Sequence, residues 1–125
     1  MMQKASIFND PGLSKQWHYI NDGDQTLVPN SKQGADVNCA EAWKKCTGDP
    51  SIIVAVMDEG VMWAHPDLQA NMWINEDEIY KSDKDNDGNG YKGDVYGYNF
   101  AQQTPTIDWS SEGDTGHGTH VAGTI

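Results

Sequence analysis

Two ionisable residues sit where a rigid element could place them for proton transfer. Asp58 directly follows the apolar run 51–57, and His117 is bracketed by two glycines. An imidazole titrates close to neutral pH, and a neighbouring carboxylate can hold one of its ring nitrogens. Taken alone, Asp58 could equally be a strand-ending residue that caps the next turn. His117 and His120 could instead share a metal, but no third ligand at zinc-protease spacing accompanies them.

The acidic stretch 83–94 is a second place whose residue types could form a functional site. Its carboxylates alternate around Gly88 in a pattern close to an EF-hand calcium loop, except that Asp94 replaces the final glutamate. Alternate carboxylates converge when a glycine permits a sharp turn, and Ca²⁺ prefers oxygen ligands. The pattern predicts a Ca²⁺ site, with a solvated acidic loop as the alternative. The predicted ligands are Asp83, Asp85, Asp87, Asn89 and Asp94.

These side chains need a scaffold, and the sequence pattern predicts an α/β fold. Residues 51–57 are apolar, β-branched and flanked by turn residues, which predicts a strand buried on both faces, as in a parallel sheet. A short helix with Asn38 as its N-cap precedes this strand, and residues 95–101 predict a second strand. Residues 117–125 are apolar at helical spacing. Because sites in open parallel sheets form at the carboxyl ends of strands, Asp58 is well placed for function.

The 125 residues suffice for one small domain, 1–125. Residues 1–34 are polar and rich in turn signals, which predicts an extended arm lying over another surface. Residues 35–125 are predicted to begin the α/β core. Cys39 and Cys46 lie about 10 Å apart if one helix carries both, so we expect two free thiols rather than a disulfide.

The net charge of −11 limits the partners of the chain. A nucleic-acid or anionic-membrane surface would need clustered lysine and arginine, so neither partner is expected. No apolar run approaches the roughly 20 residues that span a bilayer, so membrane insertion is not expected either. The first ten residues are too polar for a signal peptide. The protein is therefore either cytoplasmic or has a signal that is not part of this chain.

Three segments resemble motifs of the subtilase family (peptidase S8). Residues 54–61, VAVMDEGV, are similar to the aspartate motif of that family, and residues 65–68, HPDL, resemble the segment that follows it. Residues 117–124, HGTHVAGT, resemble the active-site histidine motif. Glu59 departs from the pattern, which usually has threonine or serine beside the carboxylate. The resemblance runs from about Asn9 to the last residue.

This resemblance implies the N-terminal part of a three-layer, parallel-sheet subtilisin-like fold, incomplete in this chain. It also implies a serine endopeptidase acting on polypeptides, with Asp58 as the triad aspartate and His117 as the general base. The nucleophile motif of the family, GTSMA, occurs nowhere in the chain. Ser110 and Ser111 match no nucleophile signature. The chain alone is therefore expected to be a fragment without proteolytic activity.

The resemblance has implications for metal sites, compartment and two neighbours of the histidine. The loop 83–94 is similar to an insert of larger subtilases. Asp10 and Asp67 match positions that hold a second Ca²⁺ in the family, a site that would be incomplete here because its other ligands come from beyond Ile125. The expected location is secreted or associated with the cell envelope. His120 and Thr119 are expected to be structural, Thr119 through packing or local hydrogen bonding.

Other interpretations stay open at this stage. Residues 114–116, DTG, spell the aspartic-protease motif, although polar residues precede them where an apolar strand is expected. The chain could also be a non-enzymatic calcium-binding module or a pseudoprotease. In the fragment that the resemblance implies, the apolar segments 51–57 and 121–125 lack the cover that later helices would supply, which predicts a dimer, a swapped assembly or a frayed C-terminus.

Overall fold

The computed structural model describes residues 10–110, 113 and 116–125 of the chain. Ser111 lies outside these residues, as do the first two residues of the DTG motif and residues 1–9 of the predicted arm. The chain divides into two compact units, Met1–Ile52 and Ile53–Ile125.

Regular secondary structure is short in both units. The described residues contain two α-helices and two 3₁₀ turns, and their one β-bridge is an isolated antiparallel pair between Asn99 and Thr104. None of the described helices has the length and hydrophobicity needed to cross a bilayer. The elements in chain order are a 3₁₀ turn at Leu13–Lys15, helix α1 at Cys39–Ala42, a 3₁₀ turn at Gln69–Asn71 and helix α2 at His117–Ala122.

A buried asparagine organises the first unit. Asn21 is only 4% exposed, and its backbone N–H donates to the Asp36 carboxylate at 2.8 Å. Its side-chain amide donates to the Ala35 carbonyl, while its side-chain oxygen accepts from Ser31 Oγ and the Gly23 N–H. Such a residue ties turns together because each of its polar atoms has a partner. The proposed contact of the arm with another surface stays a prediction.

Helix α1 begins where the sequence predicts, but Asn38 does not cap it with its side chain. Asn38 has a left-handed backbone with φ of 60°, and its N–H donates to the Asp36 carboxylate at 2.7 Å. The helix ends after Ala42, one turn long. Cys39 and Cys46 are both free thiols.

The second unit has a small apolar core and an aromatic cluster. Leu68 and Val95 are its buried hydrophobic residues among those described, and the Asn75 N–H donates to the Val95 carbonyl at 2.9 Å. Around Trp63, Tyr96 stacks with a ring-centroid distance of 4.0 Å and an interplanar angle of 5°. The cluster is completed by edge contacts of Trp63 with Tyr80 and Trp109.

Neither of the two predicted strands forms in the described residues. Residue Asn99 of the second segment makes only the isolated β-bridge with Thr104. Segment 51–57 has no strand assignment, and Ile53 and Met57 are 61% and 96% exposed. A strand needs a neighbour to satisfy its backbone N–H and C=O groups, so an apolar strand-forming run cannot form a ladder alone. The α/β parallel-sheet architecture stays a prediction, because the part of the chain that the structure describes contains no sheet on which to test it.

Candidate functional site

The Asp58 carboxylate is held by the chain immediately after it. The Glu59 N–H donates to Asp58 Oδ1 at 2.8 Å. The Asp58 side chain is 15% exposed. This backbone N–H lowers the pKa of Asp58; the hydrogen bond and charge of His117 act in the same direction, while partial burial opposes them. Asp58 is therefore an ionised acceptor at neutral pH.

His117 is the first residue of α2 and meets Asp58 across 59 positions of sequence. Its Nδ1 lies 2.7 Å from Asp58 Oδ2, within the range of a hydrogen bond to an ionised carboxylate. The His117 side chain is 64% exposed, whereas that of Asp58 is mostly covered. With the proton on Nδ1 facing Asp58, Nε2 is the basic nitrogen that can take a proton from a substrate or nucleophile. The structure thus brings together the two residues predicted as a dyad.

The first turn of α2 sits directly on the backbone that follows Asp58. A Cβ at Gly118 would overlap the Gly60 carbonyl oxygen and lie 3.0 Å from Asp58 Cβ, so only glycine allows this approach. Thr119 Oγ1 accepts the Met62 N–H at 2.9 Å. This bond spans 57 residues, and the sequence, which predicted packing or local hydrogen bonding for Thr119, did not reveal it.

In the acidic loop, Asp85 folds the chain around Gly88. Its two carboxylate oxygens accept the N–H groups of Gly88 at 2.7 Å and Gly90 at 2.9 Å. Gly88 has a φ of 73°, a left-handed conformation that fits the sharp turn predicted there from the sequence. Asp85 is thus engaged in holding the turn, and Asp83 is exposed.

Two of the predicted ligands, Asp87 and Asp94, do approach each other. The side-chain amide of Asn89 donates to Asp87 Oδ2 at 3.0 Å and to Asp94 Oδ2 at 3.1 Å. Asn75 donates to the same two carboxylates at 2.9 and 3.4 Å. The Asn75 bond lowers the pKa of Asp87, partly against the effect of burial. The two amides thus separate carboxylates that would otherwise repel each other.

Glu78 is the acidic residue that the sequence analysis missed. It is 7% exposed, and its oxygens accept the N–H groups of Asn86, Asp87 and Gly93. Burial alone raises the pKa of Glu78, but these three donors outweigh it, and the net pKa is lowered. Glu78, Asp87 and Asp94 each offer an oxygen within 4.8 Å of the others. Among the described residues, Asp83 and Asp85 lie outside this group.

No sequence signal identified Glu78 or Asn75, because both precede the alternating pattern and belong to no periodic stretch. Carboxylate and amide oxygens are the donor chemistry that suits a hard cation such as Ca²⁺. The residues gathered here therefore fit Ca²⁺ in kind, although Glu78 is engaged by backbone donors.

The two residues assigned to the second calcium position lie in different units. Asp10 Oδ1 accepts the Gly12 N–H at 2.5 Å. The Asp67 N–H donates to His65 Nδ1 at 3.2 Å, in a turn just before the buried Leu68. The hydrogen bonds described for these two residues are made within their own turns. Their assignment to one calcium site stays a prediction.

A family model described as the Subtilase family matches residues 49–125, the segment that holds Asp58 and His117. The chain belongs to the subtilase family. The resemblance seen in the three motifs is thereby confirmed, and the aspartic-protease interpretation loses its basis.

Curated relatives of this subtilase chain carry protease names. Subtilisin-like protease 1 of Plasmodium berghei is 32% identical over 123 residues, which are 98% of this chain and 18% of that protein. Neuroendocrine convertase 2 of Bos taurus is 33% identical over 117 residues, 94% of this chain and 15% of that protein. PC3-like endoprotease variant B of Hydra vulgaris is 30% identical over 122 residues, 98% of this chain and 14% of that protein. The chain thus spans less than a fifth of the length of these relatives.

Proposed function

We propose that this chain supplies the aspartate and histidine of a serine endopeptidase of the subtilisin type. The observation that carries the proposal is the 2.7 Å contact between His117 Nδ1 and Asp58 Oδ2, inside the segment that matches the family. A non-enzymatic calcium-binding module gives no reason for that contact, whereas a pseudoprotease would be recognised by a missing serine motif downstream of the chain.

In this proposal Asp58 accepts a hydrogen bond from Nδ1 and stabilises the imidazolium, while Nε2 removes the proton from a serine hydroxyl. His117 then returns the proton to the leaving amine of the cleaved peptide bond. The substrate is a polypeptide. The nucleophilic serine comes from outside these 125 residues, since no nucleophile motif occurs within them.

The test compares two proteins. One is the 125-residue chain, and the other is the longest protein product of the gene that contains this chain, called the longest product below. We expect the chain alone to leave an unfolded protein intact and to stay unlabelled by a fluorophosphonate probe. The longer product should cleave and be labelled, and His117→Ala should abolish cleavage. His120→Ala is the matched control, because His120 lies on the same helix and is not part of the dyad. Equal cleavage by the His117→Ala variant and its parent would contradict the proposal.

We also propose that the loop 83–94 binds Ca²⁺, which when bound would neutralise the carboxylates and stiffen the loop. The support is the alternation of carboxylates and the proximity of Asp87 to Asp94. Calorimetric titration of the metal-stripped chain is the test, with Asp87→Asn against the exposed Asp77→Asn as its control. Unchanged heats in Asp87→Asn relative to Asp77→Asn would contradict this assignment.

The compartment and the self-association are also proposals. Family resemblance supports a secreted or cell-envelope location, which fractionation of cells that express the gene would check. The exposed side chains of Ile53, Val54 and Met57 support association through apolar surface. Sedimentation of the chain should therefore reveal species larger than 13.8 kDa.

A further inference from the structure

Three consecutive residues of α2 contact the short segment that follows Asp58. His117 reaches the carboxylate, Gly118 lies against the Gly60 carbonyl, and Thr119 accepts the Met62 N–H. The segment and the helix are far apart in sequence, so these contacts set their relative register.

The ring of His117 has little packing of its own. Its side chain is 64% exposed, so apart from the bond to Asp58 its position depends on the backbone of α2. Helix α2 has only six residues, too few to be stable without tertiary contacts. A displacement of the helix by one ångström would carry the ring out of hydrogen-bond range of Asp58.

The hydroxyl of Thr119 joins α2 to the segment that follows Asp58. In a helix a threonine hydroxyl commonly bonds to a carbonyl of the preceding turn. Thr119 Oγ1 here accepts a backbone N–H from the other segment, at 2.9 Å and with partial burial. Gly118 permits the close approach, and the Thr119 bond fixes its register.

We infer that Thr119 is a positioning residue of the dyad, which holds α2 against Met62 so that His117 stays in bonding range of Asp58. This inference rests on the proposed function, since it assigns Thr119 a part in the proposed proton transfer. Thr119 touches neither substrate nor the reacting atoms and acts through His117.

The test is NMR of the 125-residue chain labelled with ¹⁵N-histidine. An imidazole N–H bonded to a carboxylate resonates far downfield of a solvated one. Asp58→Asn defines the signal that belongs to the dyad. Thr119→Val keeps the shape of the side chain but removes the acceptor, and Thr119→Ser keeps the acceptor. Exchange of the Met62 amide reports the bond itself.

We expect the downfield signal in the parent chain and in Thr119→Ser, and its loss in Thr119→Val together with faster exchange at Met62. If Thr119→Val loses helical circular dichroism, Thr119→Ala replaces it. A signal that persists in the folded valine or alanine variant would overturn the inference and leave the dyad intact. A parent signal identical to that of Asp58→Asn would instead remove the dyad, and with it the proposed function.

In the longest product, the same variants separate positioning from stability. Thr119→Val should lower kcat roughly 10- to 100-fold with KM nearly unchanged, because a small misplacement of a catalytic group costs rate rather than binding. Thr119→Ser should restore most of that rate. An equal loss in both variants would contradict a role for the hydroxyl.

Discussion

The dyad and the acidic loop both position carboxylates, but they do so by different means. At the dyad, an exposed imidazole is brought to a carboxylate from 59 positions away, by the contacts of Gly118 and Thr119 with the segment after Asp58. In the acidic loop, carboxylates close in sequence are kept together by N–H donors from the loop itself and by Asn75 and Glu78. The first arrangement leaves a reactive nitrogen available. The second leaves a shaped cluster of oxygens whose repulsion is already relieved.

The contrast between the two regions would fail most clearly if the dyad were not needed for catalysis. Asp58→Asn in the longest product should lower kcat about 10⁴-fold, because the amide cannot hold the imidazole in the tautomer that leaves Nε2 basic. Hydrolysis of a peptide substrate measures the effect. Asp77→Asn, an exposed carboxylate outside the dyad, is the control and should retain the parental rate. A loss of less than tenfold in Asp58→Asn would contradict the assignment.

Backbone contact at the dyad is tested by Gly118→Ala. The new methyl would meet the Gly60 carbonyl, so α2 must move, at a cost of about 1–3 kcal/mol in the free energy of unfolding. Thermal and urea unfolding provide the measurement. Gly123→Ala at the opposite end of the same helix is the matched control, since its Cβ would lie 3.5 Å from the Thr119 carbonyl oxygen, an ordinary contact. Equal stability of the two variants would mean that the close approach is absent.

The acidic loop should fail by a different route. Glu78→Gln keeps the size of the side chain but weakens its bonds to three backbone N–H groups, so the melting temperature should fall by several degrees even without metal. Glu76→Gln, exposed and two residues away, should melt like the parent. If both variants melt alike, Glu78 does not organise the loop.

The smallest effect concerns pH. The folded-state pKa of Asp58 is lowered, chiefly by the Glu59 N–H, so its ionised form stabilises the folded chain above the ordinary carboxyl pKa. That contribution is lost as pH falls through the lowered value, below about pH 4. Unfolding followed across acidic pH should therefore show a shallower acid loss in Asp58→Asn than in the parent. Parallel curves would indicate an unperturbed carboxylate.

The sequence located the candidate site residues better than the contacts that hold them in place. Asp58, His117 and the turn at Gly88 were found because each belongs to a local pattern of residue types. Glu78 and the Thr119 bond were missed, because each acts on backbone groups that a sequence pattern does not display. The start of α1 and the position of α2 also followed from local signals. The predicted sheet depends on pairing between distant strands, which no local signal in segment 51–57 can establish.

The stacked pair of Trp63 and Tyr96 gives this molecule a built-in optical reporter. Trp63 follows Met62, whose N–H is bound by α2, so the ring lies next to the segment that the dyad depends on. Parallel rings with centroids 4.0 Å apart couple their electronic transitions, and Trp109 adds an edge contact. Near-ultraviolet circular dichroism of the unlabelled chain should therefore change when the contact of that segment with α2 is lost, above the background of the other four tryptophans.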